Sequence, residues 1–329
     1  VTAEVGLELA GLPLFTGQFV DVDGDGWEDL LLAGDACTSR LYRNMGGTRF
    51  EDVTRTAGVA TDENGMGSAV RDIDGDGHPD WIVSSISWPG RCPFPSYLGC
   101  SGNRVYVNDG AGRFVDESRR FGVRDAGWGW GVVVADFGND GRLGLAVANG
   151  YDENLTGTAS VDRVYRSLRH DPLRLWLPVG RGAVEVARAA GLDDREVGHG
   201  LVAFDYDGDG DLDLLLTRSH LPPRLFRNDR PTGNAWLAVR LHDGLHPGNA
   251  AGYGARIVVH AGQAPPVVQW VGTDGSYESQ RPAEIHVGLG PTAPRELTVD
   301  VWWPGELRPQ TVRDVRPSRV LTVERTKGN

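Results

Sequence analysis

The nine residues Asp-Val-Asp-Gly-Asp-Gly-Trp-Glu-Asp from Asp21 to Asp29 constrain the fold most, because they return from Asp72 to Asp80 and from Asp205 to Asp213. A fourth, eroded copy runs from Asp136 to Gly144. Carboxylates at positions 1, 3, 5 and 9, a carbonyl at 7 and glycine at 6 make an oxygen cage suited to a hard cation, Ca²⁺ above all. The predicted ligands are Asp21, Asp23, Asp25 and Asp29 with the Trp27 carbonyl; Asp72, Asp74, Asp76 and Asp80 with that of His78; and Asp205, Asp207, Asp209 and Asp213 with that of Asp211. An EF-hand would need a bidentate Glu at position 12, where this chain has Leu32, Val83 and Leu216. Short apolar runs follow each loop, Leu30–Ala33, Trp81–Val83 and Leu214–Leu216, so the loops join buried strands. In the eroded copy Gly138 and Gly144 replace two carboxylates, leaving Asp136 and Asp140. About three occupied sites are therefore expected, with the loop at Asp136 empty or closed by internal hydrogen bonds.

The loops also work as a ruler. Their first residues are 51, 64 and 69 positions apart, spacings that fit one four-stranded unit each. Within a unit the order is strand, loop, buried strand, then Arg40-Leu41-Tyr42-Arg43-Asn44, then Arg49-Phe50-Glu51-Asp52-Val53-Thr54, ending at Ala57-Gly58-Val59. The second unit repeats this through Arg104–Asn108, Arg113–Ser118 and Phe121-Gly122-Val123. The third offers Arg163-Val164-Tyr165-Arg166 and then a longer stretch through Trp176 and Pro178 to Ala190-Gly191-Leu192, while the fourth stops at Arg224–Asn228. The N-terminal Val1–Leu7 matches Val53–Val59 and is expected to complete the last blade and close a ring.

Composition agrees with this reading: 46 Gly and 19 Pro among short apolar runs in 329 residues favour an all-β chain rich in tight turns. The net charge of −12 argues against nucleic acid, although much of the acid sits in the loops. No apolar run is long enough for a membrane-spanning helix, and no signal peptide is visible in a chain that begins at Val1. Cys92 and Cys100 flank a Pro-rich insertion and could staple it, leaving Cys37 free; three reduced thiols are the alternative.

These residues carry a resemblance. The loops and their strand contexts resemble the FG-GAP repeats of integrin α-subunit β-propellers, in the variant found in bacterial proteins and in cartilage acidic protein. After Pro231, Asn249–Arg256, Gly275–Gln280, Ile285–Gly290 and Trp303-Pro304-Gly305 resemble the ASPIC and UnbV domain that follows such repeats. The expectation is a Ca²⁺-binding propeller with four recognisable blades over residues 1–230, then a small antiparallel β-sandwich over 231–329. Its strands are expected at Trp236–Leu241, Ala255–His260, Val267–Val271, Ile285–Leu289, Leu297–Trp303 and Val320–Glu324.

Six residues before each loop stand Phe15, Met66, Trp130 and His199, the last three bracketed by glycines. Equivalent positions in successive blades surround the axis, so these side chains, with Trp128 nearby, are candidate ligand contacts at one propeller mouth; a plug of the channel is the alternative. His199 is the one weak candidate for a catalytic base, and the sequence supplies it no carboxylate or nucleophile. The aromatic insertion with Trp88, Phe94 and Tyr97, and the stretch from Asn149 to Val161, are candidate binding loops or covers. No phosphate loop, hydrolase elbow or zinc spacing occurs.

Three functions remain open. One is a binding or accessory role for a hydrophobic small molecule or a protein partner. The resemblance to compact UnbV-type proteins implies a setting beside enediyne polyketide synthases, with a polyene intermediate or carrier protein as ligand and a cytoplasmic location. The second is an enzyme acting on such a polyene in the propeller mouth, and the third an extracytoplasmic adhesion module. The sequence does not fix the oligomeric state.

Overall fold

The computed structural model describes residues 2–93, 99–151, 167–273 and 275–326. Phe94, Tyr97, residues 152–161 and the Arg163–Arg166 motif lie outside them.

Four sheets follow one another along the first part of the chain. Blade 1 comprises β1 (Leu14–Val20), β2 (Asp29–Gly34), β3 (Arg40–Asn44) and β4 (Phe50–Asp52). Blade 2 comprises β5 (Ser68–Arg71), β6 (Asp80–Val83), β7 (Arg104–Asn108) and β8 (Phe114–Asp116). Blade 3 comprises β9 (Gly129–Ala135), β10 (Gly144–Asn149), β11 (Arg174–Val179) and β12 (Gly182–Glu185). Blade 4 has three strands, β13 (Gly198–Phe204), β14 (Asp213–Arg218) and β15 (Leu221–Phe226). Each blade is an antiparallel meander with consecutive strands paired. The strand after each loop is apolar on both faces because sheets cover both: β2, β6 and β10 are buried throughout.

Two expectations are corrected here. The third strand of blade 3 is Arg174–Val179, which pairs with β10, not the Arg163–Arg166 motif. Its identity lies in register: Arg174 and Trp176 face Val147 and Leu145 as Arg40 and Tyr42 face Leu32 and Leu30. The N-terminus does not complete blade 4. It packs on blade 1, where the Phe50 amide donates to the Val5 carbonyl at 2.7 Å and Leu7 and Leu9 join Leu30, Leu32 and Tyr42. The sequence match to Val53–Val59 holds, but that segment is a turn containing the short helix α1 (Thr54–Ala57), capped by left-handed Gly58, and not a strand. Blade 2 ends likewise in α2 (Ser118–Phe121) with left-handed Gly122.

The remaining strands form a sandwich around a buried core that includes Leu237, Val239, Ile257, Ile285, Val299 and Val301. One sheet orders β21 (Glu284–Gly290), β16 (Ala235–His242) and β24 (Arg319–Glu324); the other orders β18 (Val267–Trp270), β17 (Arg256–His260), β22 (Leu297–Trp302) and β23 (Gln310–Val315). β23 was not expected, and β24 runs parallel to β16, so the sandwich is not wholly antiparallel. A hairpin of β19 (Gly275–Ser276) and β20 (Ser279–Gln280) leaves the sandwich and enters the propeller.

Candidate functional site

Each intact loop is built by its own backbone. Asp21 accepts the amides of Gly24, Asp25 and Gly26, and Asp72 those of Gly75, Asp76 and Gly77, folding the chain around the first carboxylate. The left-handed φ of Gly24 and Gly26 permits this curl. The ninth residue is a buried clamp: Asp29 accepts the Val22 amide at 3.0 Å and the Asn44 amide at 2.8 Å, joining the loop to the third strand. Asp80 repeats this with Ile73 and Asn108, and Asp213 with Tyr206 and Asn228. Burial pushes the Asp29 carboxyl up to about 7 and that of Asp80 up to about 8. A cation would reverse that penalty by favouring the charged form.

Oxygens of positions 1, 3 and 9 gather within 4.8 Å in three groups, Asp21 with Asp23 and Asp29, Asp72 with Asp74 and Asp80, and Asp205 with Asp207 and Asp213. Each group suits a divalent cation with oxygen ligands. The position-5 residues Asp25, Asp76 and Asp209 lie outside these groups and accept the amides of Trp27, His78 and Asp211. The side chains of Trp27 and His78 lie over Gly47 and Gly110, where a Cβ would come within 2.4 and 2.5 Å of the rings.

The eroded loop does other work. Asp136 accepts the amides of Gly138, Asp140 and Gly141, so the turn is held by hydrogen bonds. Asn139 then docks the sandwich: its Oδ1 lies 2.7 Å from His286 Nε2, its carbonyl accepts the Gly290 amide, and its Nδ2 donates to the Gly210 carbonyl and Asp211. Gly288 is needed for the fit, since a Cβ there would sit 1.9 Å from Asp136. Burial pushes the His286 imidazole down to about 3, so it is neutral, and Trp236 stacks on it with centroids 5.7 Å apart.

The structure brings Phe15, Met66, Trp130 and His199 together around the axis, and the bracketing glycines explain how. A Cβ on Gly67 would meet the Trp130 carbonyl at 2.4 Å, and one on Gly131 the His199 carbonyl at 2.5 Å, so each inner strand lies against the next. The space between them is taken by Tyr277, from the tip of the β19–β20 hairpin. Its ring lies 5.4 Å from Phe15, 4.7 Å from Trp130 and 5.7 Å from His199. Met66, Trp128, Tyr151 and Trp88 complete the same cluster. The hairpin touches the inner strands of all four blades. Ser276 Oγ accepts the Val132 amide, Ser279 donates to the Leu201 carbonyl, and Thr273 accepts the Val70 amide through its carbonyl. Trp128 packs against Tyr151 at a tilt of 58°, with centroids 5.0 Å apart, and Trp130 donates to the Gly150 carbonyl.

Sequence reasoning missed a carboxylate near His199. Glu278 Oε2 stands 3.6 Å from His199 Nδ1, too far for a hydrogen bond, and is 61% exposed. Cys92 and Cys100 form a disulfide and pack with Trp88 on the aromatic cluster, while Cys37 is free and exposed. Sequence reasoning also missed a cleft of about 680 Å³ between the first two loops and the sandwich. Phe19, Trp27, His78, Arg256, Trp302 and Leu307 help to line it. Arg256 lies over the Trp302 ring at 4.4 Å, and Phe19, Trp27 and Leu307 are 53%, 48% and 97% exposed. Among the described residues no helix is long and apolar enough to cross a membrane.

Comparison with known proteins agrees with this architecture. The FG-GAP-like repeat family matches residues 21–83 and 97–147, and the ASPIC and UnbV family matches residues 245–329. Cartilage acidic protein 1 of Mus musculus is 28% identical over 298 residues, 86% of this chain and 41% of the relative. The Homo sapiens protein of that name is 28% identical, covering 86% of this chain and 40% of its own length, and the Xenopus tropicalis one is 26% identical, covering 98% and 46%. The chain thus spans less than half the length of these relatives. The repeated acidic loops on four β-meanders and the sandwich that docks on them agree with these partial matches, to FG-GAP-like repeats in the propeller and to the ASPIC and UnbV domain in the sandwich.

Proposed function

We propose that the protein is a Ca²⁺-stabilised binding module whose ligand lies in the cleft beside the first loop. The observation that carries this is the exposure of Phe19, Trp27 and Leu307 around one concave surface next to Asp21 and Asp25. Exposed apolar rings grouped in a cleft are a usual signature of recognition. The axial mouth is the weaker candidate because Tyr277, only 9% exposed, fills it. The carboxylate beside His199 gives no support to an acid–base pair there, since Glu278 Oε2 stands 3.6 Å from Nδ1, beyond hydrogen-bond reach.

The ligand class is a hydrophobic segment or small molecule. A finer form of this reading, resting on the UnbV resemblance, is an accessory role in enediyne-type polyketide assembly, with a polyene intermediate or a carrier protein in the cleft. The adhesion reading, an extracytoplasmic module that binds a protein, draws support from the Cys92–Cys100 disulfide, since such bonds persist in oxidising compartments. A fluorescent polyene fatty acid separates the two. Saturable binding that is lost in Trp27→Ala and kept in Trp130→Phe favours the polyene ligand. Absence of binding to the parent protein removes the small-molecule reading.

A further inference from the structure

Among the described residues, blade 4 has no counterpart of the fourth strand that its neighbours have. β4, β8 and β12 are the outermost strands of blades 1 to 3, whereas among the described residues β15 is the last strand of its sheet. That strand is exposed along most of its length, with Leu221 and Leu225 at 43% and 42%.

Two further observations mark the vacant position. Gly6, Gly58, Gly122 and Gly191 occupy the same place in successive turns, all with left-handed φ. A Cβ on Gly6 would meet the Phe50 carbonyl at 2.4 Å, one on Gly58 the Phe114 carbonyl at 2.7 Å, and one on Gly122 the Ala183 carbonyl at 3.7 Å. Each carbonyl belongs to the fourth strand of the following blade. Gly191, which should face the fourth strand of blade 4, has nothing within 4 Å among the described residues. The second observation is charge. In each complete blade an arginine on the third strand meets an acid on the fourth: Arg40 and Asp52 at 3.6 Å, Arg104 and Asp116 at 3.2 Å, Arg174 and Glu185 at 3.8 Å. Arg224 holds that place in blade 4, opposite Leu216 as Arg40 is opposite Leu32. It reaches Asp194 instead, with its side chain 45% exposed.

We propose that an extended segment of a partner polypeptide completes blade 4 by adding a strand to β15. Blades 1 and 2 supply its pattern, while blade 3 keeps only the acid, with Ala183 and Ala187 at the flanking positions. Phe50 pairs with Asn44 and Asp52 with Tyr42, while Phe114 pairs with Asn108 and Asp116 with Tyr106. Two residues beyond the acid, Thr54 and Ser118 accept the amides of Leu41 and Val105 at 2.9 Å. The incoming segment therefore carries the pattern Phe-x-Asp-x-Ser/Thr, with the ring opposite Asn228 and the acid opposite Phe226 near Arg224. Main-chain pairing supplies affinity and these side chains supply selectivity. Pro222 and Pro223 lie outside the three-residue pairing and stop the strand from extending. A second copy pairing through its own β15 would bring Arg224-Leu225-Phe226-Arg227-Asn228, which lacks the Phe-x-Asp-x-Ser/Thr pattern, so it is the poorer occupant. The site is independent of the cleft beside the first loop, and either can fail alone.

The test uses a labelled peptide with the sequence of Gly47–Thr56, titrated into the full chain in Ca²⁺. We expect saturable 1:1 binding and slowed amide exchange in residues 224–228. Replacing the peptide's Phe with Ala should weaken binding about tenfold. Replacing its Asp with Ala should weaken it about fivefold, and Arg224→Ala should abolish that difference. The peptide variants leave the protein untouched, so misfolding cannot mimic the result. No saturable binding up to about 1 mM, equal binding of the Phe-substituted peptide, or protection confined to residues 40–44 would overturn the proposal.

Discussion

Replacing Tyr277 with Ala should detach the hairpin from the propeller axis. Tyr277 is 9% exposed and packs on Phe15, Trp130 and His199 at centroid distances of 4.7 to 5.7 Å. Truncating a buried aromatic ring to Ala costs about 3–5 kcal/mol, from lost transfer energy and the cavity left behind. The rigid strands β1, β9 and β13 cannot collapse into that cavity, which places the cost near about 4 kcal/mol. At about 3 °C per kcal/mol for a chain of this size, the melting temperature should fall by about 12 °C. Tyr277→Phe keeps the ring and should cost less than about 1 kcal/mol. Urea unfolding of both variants, with limited proteolysis of the hairpin, measures the effect. A loss below about 1 kcal/mol for the Ala variant, with the hairpin still protected, would refute an axis held by this ring.

Two further perturbations probe the same architecture. Gly131→Ala places a Cβ 2.5 Å from the His199 carbonyl, which is backbone and cannot swing away, so it should cost about 1–3 kcal/mol in urea unfolding; a neutral outcome would contradict the close approach of blades 3 and 4. The cation loops should give a signed pH dependence. Burial holds Asp29 near about 7 and Asp80 near about 8 without a cation, whereas an unfolded Asp titrates near about 3.9. Between those values the native state binds more protons than the unfolded chain, so ion-free stability falls as pH rises from about 4 to about 8. Bound Ca²⁺ needs the ionised carboxylates and so counters that fall. The melting gap between Ca²⁺ and EGTA should therefore widen from pH 5 to pH 8, and a constant or shrinking gap in calorimetry would count against it.

Much of this was legible in sequence where the signal is local or evenly repeated. The loops could be read because their carboxylates lie within nine consecutive residues, and the axial ring because each member stands six residues before a loop. What could not be read depends on distant contacts. Tyr277 is far from Trp130 in sequence and reaches it through a hairpin of another domain, so neither segment announces the plug. The N-terminal match to Val53–Val59 was real, yet a repeated segment does not say which blade it packs on; the Phe50 and Val5 hydrogen bond decides that. Asn139 reads as damage to a cation loop until His286 stands opposite it.

Counting bound calcium tests the central claim most directly. The chain should be passed through gel filtration in trace Ca²⁺, assayed for metal per polypeptide, and melted with and without EGTA. The three acidic groups at Asp21, Asp72 and Asp205 predict three ions per chain, with an unchanged count in Asp136→Asn and a lower melting temperature on chelation. No retained calcium together with an unchanged melting curve in EGTA would contradict the account.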